Sequence, residues 1–232
     1  MKSLILAPAI FLYALPLFAA DADDVRNAAR KLAAADNYSW TIVTKGGQGD
    51  TRPIEGKTQK DGLTWTGMSG RDGIRVEAVA KGGKGVVKTE DGWQPLDDPA
   101  TAGIIRKSSR YRWLLNPKLP AAQVETLLDQ TTNLARSDDG FAGTWSEDKV
   151  KEWLLANISV RRGSPTPSIS NAQGTVTFWL KDGMLFKYEI QASGTLTYNR
   201  NHRDVQITTT VEIKDVGATK VTVPEQAKSQ TS

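Results

Sequence analysis

Two hydrophobic periods take turns along this chain of 232 residues. Near the start, Val25, Ala28, Ala29 and Leu32 fall on one helical stripe, behind Asp21, Asp23 and Asp24, whose carboxylates suit the positive end of a helix dipole. That spacing predicts a short amphipathic helix with a packing role. From Tyr38 the period drops to two: Tyr38, Trp40 and Ile42 alternate with Ser39 and Thr41 until Gly46-Gly47-Gln48-Gly49 breaks the run. A strand over 56–60 meets one over 63–68 across Asp61-Gly62, a strong short hairpin signal. Strands over 74–80 and 86–89 join at Gly82-Gly83, and Asp91-Gly92 turns the chain again before Trp93. The expectation is a meander of antiparallel strands.

The middle third returns to helical spacing. Asp98 reads as an N-cap with Pro99 at the first helical position, while Pro117 and Pro120 close that segment and open another. Val124, Leu127, Leu128 and Thr131 then mark a second helix. A hairpin at Asp139-Gly140, between Leu134 and Trp145, leads back to sheet. Ser146 is placed to cap a third short helix, with Glu147 and Asp148 in its first turn and Val150, Trp153 and Leu154 facing inward. Residues 161–174, rich in Ser, Pro and Gly, predict a surface loop.

Alternation resumes beyond it. Strands over 176–180 and 184–190 flank Asp182-Gly183, and a two-residue loop would set Trp179 opposite Phe186 on one face and Leu180 opposite Leu185 on the other. Large apolar groups on both faces imply a sheet covered twice, or covered once and shielding a ligand. The strand over 196–198 continues that sheet. Val205, Ile207, Thr209, Val211 and Ile213 then alternate cleanly with polar neighbours. A turn at Asp215-Val216-Gly217 leads to a last strand through Val223, which Pro224 stops. Strands at both chain ends surround the helical middle, so a division would leave two incomplete sheets; one domain is expected.

The first residues stand outside this pattern. Met1-Lys2 precedes an apolar stretch from Leu4 to Ala20, with small residues at Ala19-Ala20-Asp21-Ala22. Residues 1–22 therefore read as a cleaved export signal, cut after Ala20 or Ala22, ahead of a domain over 23–228 and a polar tail over 229–232. The absence of cysteine removes both a lipid anchor of the bacterial type and a disulfide framework, so a soluble periplasmic or extracellular product is expected, held by burial alone. A net charge of +4 permits anionic partners without implying nucleic acid.

Catalytic chemistry is hard to find. His202, the one histidine, lies in the polar run 199–203, which reads as a turn; one such ligand builds no metal site of the His/Cys kind. Gly67-Met68-Ser69-Gly70 lacks nucleophile-elbow spacing. The pairs Asp97-Asp98, Asp138-Asp139 and Glu147-Asp148 lie at turns or helix starts, where capping explains them. Lys81-Gly82-Gly83-Lys84-Gly85 lacks P-loop spacing and reads as a hairpin turn. No catalytic, cofactor or metal residue is assigned.

The stretch from Pro99 to Gln123 is less ordinary, with Arg106, Lys107, Arg110, Arg112 and Lys118 and no acidic residue. On a helical wheel Ile104, Ser108, Tyr111 and Leu115 share one stripe, with Arg106, Arg110 and Trp113 roughly opposite. Arg106, Lys107, Arg110 and Trp113 are thus candidates to meet an anionic membrane surface through residues 104–118. The competing reading is a solvated basic face with Trp113 lying on its neighbours.

The order of helix, meander, central helices and further antiparallel strands resembles the LolA-like and LppX/LprG-like periplasmic carriers. So do the closing segment Val211-Glu212-Ile213-Lys214-Asp215-Val216-Gly217-Ala218-Thr219-Lys220-Val221-Thr222-Val223-Pro224, the hairpin over 175–190 and the turn Asp91-Gly92-Trp93. The resemblance implies an α+β fold: a single curved antiparallel sheet, or half-barrel, with an N-terminal helix and central helices on its concave face. It also implies an acyl chain held between sheet and helices. LppX/LprG-like proteins carry a lipidated cysteine, absent here, so the likeness in lifestyle is to the soluble carriers. Trp40, Trp65, Ile104, Tyr111, Trp179 and Phe186 become candidate ligand-lining residues for a lipid or a lipoprotein acyl chain, against the plainer reading of an ordinary core. An exported interaction module with a filled core is the alternative, and a hydrolase with an unrecognised carboxylate site comes after it.

Overall fold

The computed structural model describes residues 17–47, 52–69, 75–89, 91–99, 101, 118–158, 166–199, 201–225 and 228. Helix α1 (Leu17–Ala34) precedes β1 (Asn37–Gly46), β2 (Ile54–Gln59), β3 (Thr64–Ser69), β4 (Arg75–Lys81), β5 (Lys84–Thr89) and β6 (Gly92–Pro95). Helix α2 (Pro120–Gln130) leads into the hairpin β7 (Thr131–Ser137) and β8 (Gly140–Trp145). Helix α3 (Glu147–Asn157) then introduces the long strands β9 (Ser168–Lys181), β10 (Met184–Tyr198) and β11 (Asn201–Lys214).

The eleven strands among the described residues form one sheet in the order β6-β5-β4-β3-β2-β1-β11-β10-β9-β8-β7, every neighbouring pair antiparallel. The two runs of strands meet at one seam, β1 against β11, in register from Ser39↔Lys214 to Gly46↔Ile207. With β6 and β7 as its edges the sheet stays open, giving the expected α+β half-barrel. At the β9–β10 hairpin, Asp182 (φ 54) and Gly183 (φ 69) both adopt the left-handed conformation that matches a two-residue turn to strand twist.

The three helices among the described residues pack on the β7–β10 part of the sheet. Val25 and Leu32 of α1, Val124 of α2, and Val150 and Leu154 of α3 are fully buried against Phe178, Tyr188 and Ile190. Each such side chain stabilises the fold by about 1.5–3 kcal/mol. Gly174 admits α3, because a Cβ there would press on Val150 Cγ2 at 2.7 Å. At its polar start α1 is tied to β7: Asp21 accepts the Arg136 backbone N–H at 3.1 Å, and Asp24 pairs with the Arg136 guanidinium at 3.1 Å.

Several expectations change. The loop over 161–174 gives way at Ser168, where β9 begins; Ile169 and Ala172 are buried and the ladder to β10 overrides the Ser/Gly composition, with Asn171 (φ 52) at an irregularity. His202 lies in β11 opposite Thr197, not in a turn, because the reversal is completed at Asn199 (φ 50). No strand follows β11 among the described residues. Val221 and Val223 instead pack on Leu63, Val79 and Val86, so their alternation reports burial without a ladder. Helix α1 already begins at Leu17, within the segment read as an export signal. Ser146 takes the N-cap position of α3 but makes no side-chain capping bond. Asp98 Oδ2 accepts from the Thr101 N–H (2.9 Å) and hydroxyl (3.1 Å), as a cap would. The rest of that expected helix, with Ile104, Arg106, Lys107, Arg110, Tyr111 and Trp113, lies outside the described residues.

Candidate functional site: the inner face of the N-terminal half-sheet

Directly opposed residues in an antiparallel sheet share a face, so the register can be read as rows. On the face that carries the helices, one row runs Trp40, Gly56, Thr66, Ala78, Val87 from β1 to β5. Beside it lie Tyr38, Thr58, Thr64, Ala80, Gly85 and, on the other flank, Ile42, Ile54, Met68, Val76. Beyond β1 these rows consist mostly of Gly, Ala, Thr and Val. Thr58, Thr64, Thr66, Val76, Ala78 and Val87 are nevertheless buried. Thr58 and Thr64 share a 3.1 Å hydroxyl contact, so that Thr66 carries the remaining threonine hydroxyl of a floor otherwise built of Gly, Ala and aliphatic side chains.

Trp40 closes the floor at its seam end. Its indole lies across Gly56, where an added Cβ would run into Cζ2, Cε2 and Cδ2. Only 2 % of Trp40 is exposed, and its Nε1 has no hydrogen-bond partner among the described residues. An orphaned buried donor costs about 1–3 kcal/mol. Nearby, the Tyr188 hydroxyl donates to Gln123 Oε1 of α2 at 2.7 Å. Burial pushes the Tyr38 phenol up to about 12, opposed by its hydrogen bond with the Ala121 backbone. Burial, reinforced by Tyr38, raises Tyr188 as well.

The other candidate aromatics lie elsewhere. Trp65 projects from the outer face, over Gly67, donates to Glu77 Oε2 at 3.2 Å, and has the Arg75 guanidinium 5.2 Å and Lys57 Nζ 5.7 Å from its ring. Trp179 also faces outward and stands opposite Lys187, whose Nζ lies 4.2 Å from the ring centroid. It does not meet Phe186, because the ladder slips between Leu185 and Lys187 and leaves Phe186 at the irregularity, 39 % exposed; Leu180 and Leu185 do pair as expected. Trp40 is therefore the only one of the four described candidates on the inner floor. Gly56, Thr58, Thr64, Thr66 and Ala78 were not among the candidates, although small residues at every second position on both sides of Asp61-Gly62 signal such a floor.

Polar groups elsewhere are accounted for by structure. His202 Nδ1 shares a 2.9 Å contact with the Thr197 hydroxyl, Glu147 and Asp148 pair with Lys151, and Asp138-Asp139 form the β7–β8 turn. Among the described residues no group of three His, Asp or Glu is arranged to hold a metal, and no helix is long and apolar enough to cross a membrane. A cleft of about 950 Å³ opens between α1 and the β7–β8 and β9–β10 turns. Charges of both signs line it, including Asp24, Arg30, Lys31, Arg136 and Asp138, which suits water better than an acyl chain.

No protein-family model and no curated protein matches the chain. Among solved structures, the Mycobacterium tuberculosis lipoprotein LppX aligns with a TM-score of 0.51 and 13% identity, over 88% of this chain and 98% of that one. LprF from Mycobacterium bovis aligns at a TM-score of 0.43 and 12% identity, over 90% and 98%. The likeness to LppX is one of fold, and at that level the LppX/LprG-like resemblance read from the sequence holds.

Proposed function

We propose that the chain is an exported, non-enzymatic carrier for an amphipathic ligand, a lipid or a lipoprotein acyl chain, held on the inner face of β1–β5. The observation that carries this reading is the row Gly56, Thr66, Ala78, Val87: a buried floor of small side chains within a sheet that elsewhere fills the same face with large ones. Small floors leave volume, and apolar volume next to a single polar anchor is what an acyl chain requires. The LppX-like fold supports the reading by analogy.

The test is denaturing mass spectrometry of lipid extracted from the protein purified from its native host. Lipid is expected with the unaltered chain and a reduced amount with Thr66→Leu combined with Ala78→Leu, whose circular dichroism establishes that the fold survives. An unaltered chain free of lipid would favour a filled interaction module instead.

A further inference from the structure

The carrier reading leaves one atom without a task, Trp40 Nε1. It is buried, it is a donor only, and it has no partner among the described residues. Its position is set by glycine. Nε1 is bonded to Cε2, one of the three indole atoms lying against Gly56, so the donor stands over the inner face where β1 meets β2. On one side of it the face is bulky, through Ile213 and Val211 of β11; on the other it is small, through Gly56, Thr66 and Ala78. The donor thus marks the end of the apolar floor. Of the other buried polar aromatics nearby, Tyr188 spends its hydroxyl on Gln123 and Tyr38 bonds the Ala121 backbone, while Thr58 and Thr64 spend their hydroxyls on each other.

Resting on the carrier reading, we infer that the Trp40 indole N–H is the polar anchor of the site and receives the carbonyl oxygen of an acyl ester or amide whose chain lies along Gly56, Thr66 and Ala78. The ligand class is narrowed accordingly: an acylated molecule binds, and an alkyl chain lacking the carbonyl binds less well. Trp40→Phe therefore isolates the contribution of the indole from that of the Thr66 hydroxyl, the other polar group in the same row.

The test uses the full chain with 1-monopalmitoylglycerol, its ether analogue 1-O-hexadecylglycerol, and an N-palmitoylated hexapeptide, titrated against the unaltered protein and Trp40→Phe. The unaltered protein is expected to prefer the ester over the ether by roughly 3- to 10-fold, the range of a net hydrogen bond. Trp40→Phe should abolish that preference, so that ester and ether bind the variant equally. A parallel preference for the palmitoylated peptide would assign the acyl group to lipoproteins, and its absence to free lipids; either result is compatible with the anchor. Should Trp40→Phe fold poorly, the Trp40 indole N–H resonance of the unaltered protein gives an independent measurement, expected to move downfield with ester and not with ether. The inference is overturned if ester and ether bind equally, if the preference survives in Trp40→Phe, or if the indole signal stays put while ester binds. In each case the carrier reading stands. If no probe binds the unaltered protein, both fall.

Discussion

The two halves of this sheet share a hydrogen-bond ladder and almost nothing else on their inner faces. In the C-terminal half a single row carries Val211, Tyr188, Phe178 and Phe141, all buried beneath helices. In the N-terminal half that row continues through Ile42, Ile54, Met68 and Val76, and the row beside it, beyond Trp40, falls to Gly56, Thr66, Ala78 and Val87. The direction of pairing cannot explain that difference, since both halves are antiparallel throughout. Side-chain volume does explain it: the bulky rows fill the space under α1, α2 and α3, and this half holds nearly all of the largest buried side chains. A continuous sheet can therefore be bipartite, with the large buried side chains concentrated in one half and small ones on the inner face of the other.

Truncating the bulky row gives the largest expected effect. Phe178→Ala should lower the free energy of unfolding by about 3–5 kcal/mol, since Phe178 is fully buried and its neighbours are held by three helices. A like-for-like pair sharpens the comparison. Val176→Ala, opposite Ile190 in the helix-covered half, should cost about 2 kcal/mol, and Val87→Ala, equally buried on the small floor, about 1 kcal/mol. Urea midpoints measure all three, and equal losses at Val176 and Val87 would mean that the two halves are packed alike.

The seam between the halves is where pH enters. Tyr38, at the seam in β1, and Tyr188, across β11 in β10, are buried as neutral phenols, the first pushed up to about 12 and the second raised by burial. In the unfolded chain both ionise near pH 10. Their folded values are raised, so the stability they contribute is complete below pH 10 and drains away as pH climbs toward 12. Two retained protons correspond to a slope of about 2.7 kcal/mol per pH unit. Urea midpoints at pH 9, 10 and 11 for the unaltered chain and for Tyr38→Phe with Tyr188→Phe should diverge, the double variant falling less steeply. Parallel slopes would remove the seam as the alkali-sensitive element.

Much of this bipartition was legible in the sequence, and the illegible parts have physical reasons. Aspartate-glycine turns and period-two runs located the meander, and helical spacing the helices over 120–130 and 147–157, because each is a local signal; the β1–β11 pairing joins opposite ends of the chain and has no local signal. Residues 168–174 escaped, since their Ser, Asn and Gly content argues for a loop and only the ladder from β10 makes them a strand. The Trp179–Phe186 pairing failed at a single inserted residue, which no composition announces. The ligand-lining set leaned on large aromatics, yet Trp65 and Trp179 proved to be outward cover, whereas the floor is made of residues too small to attract notice. Trp40 was legible as a candidate. Its orphaned N–H was not, because an absent partner is a property of three dimensions.

On the outer face the two halves converge, and there the comparison predicts its smallest effect. Arg75 stands over Trp65 in one half and Lys187 over Trp179 in the other, each cation at the surface and the ring partly covered beneath it. The pairs differ in their surroundings: Arg75 also pairs with Glu55 and Glu77, whereas the Lys187 ammonium lies closer to its ring, 4.2 Å against 5.2 Å. Exposed cation–π contacts are worth about 0.5–1 kcal/mol and exposed ion pairs about as little, because water screens both. Arg75→Met and Lys187→Met keep an aliphatic cover on the ring and remove only the charge, so each should shift stability by less than about 1 kcal/mol, with the losses shrinking further in high salt. Equal, small losses would confine the asymmetry of the molecule to its inner face. A loss of several kcal/mol at Arg75 alone would instead place structural weight on the outer surface of the N-terminal half, and the assignment of stability to the helix-covered half would have to be withdrawn.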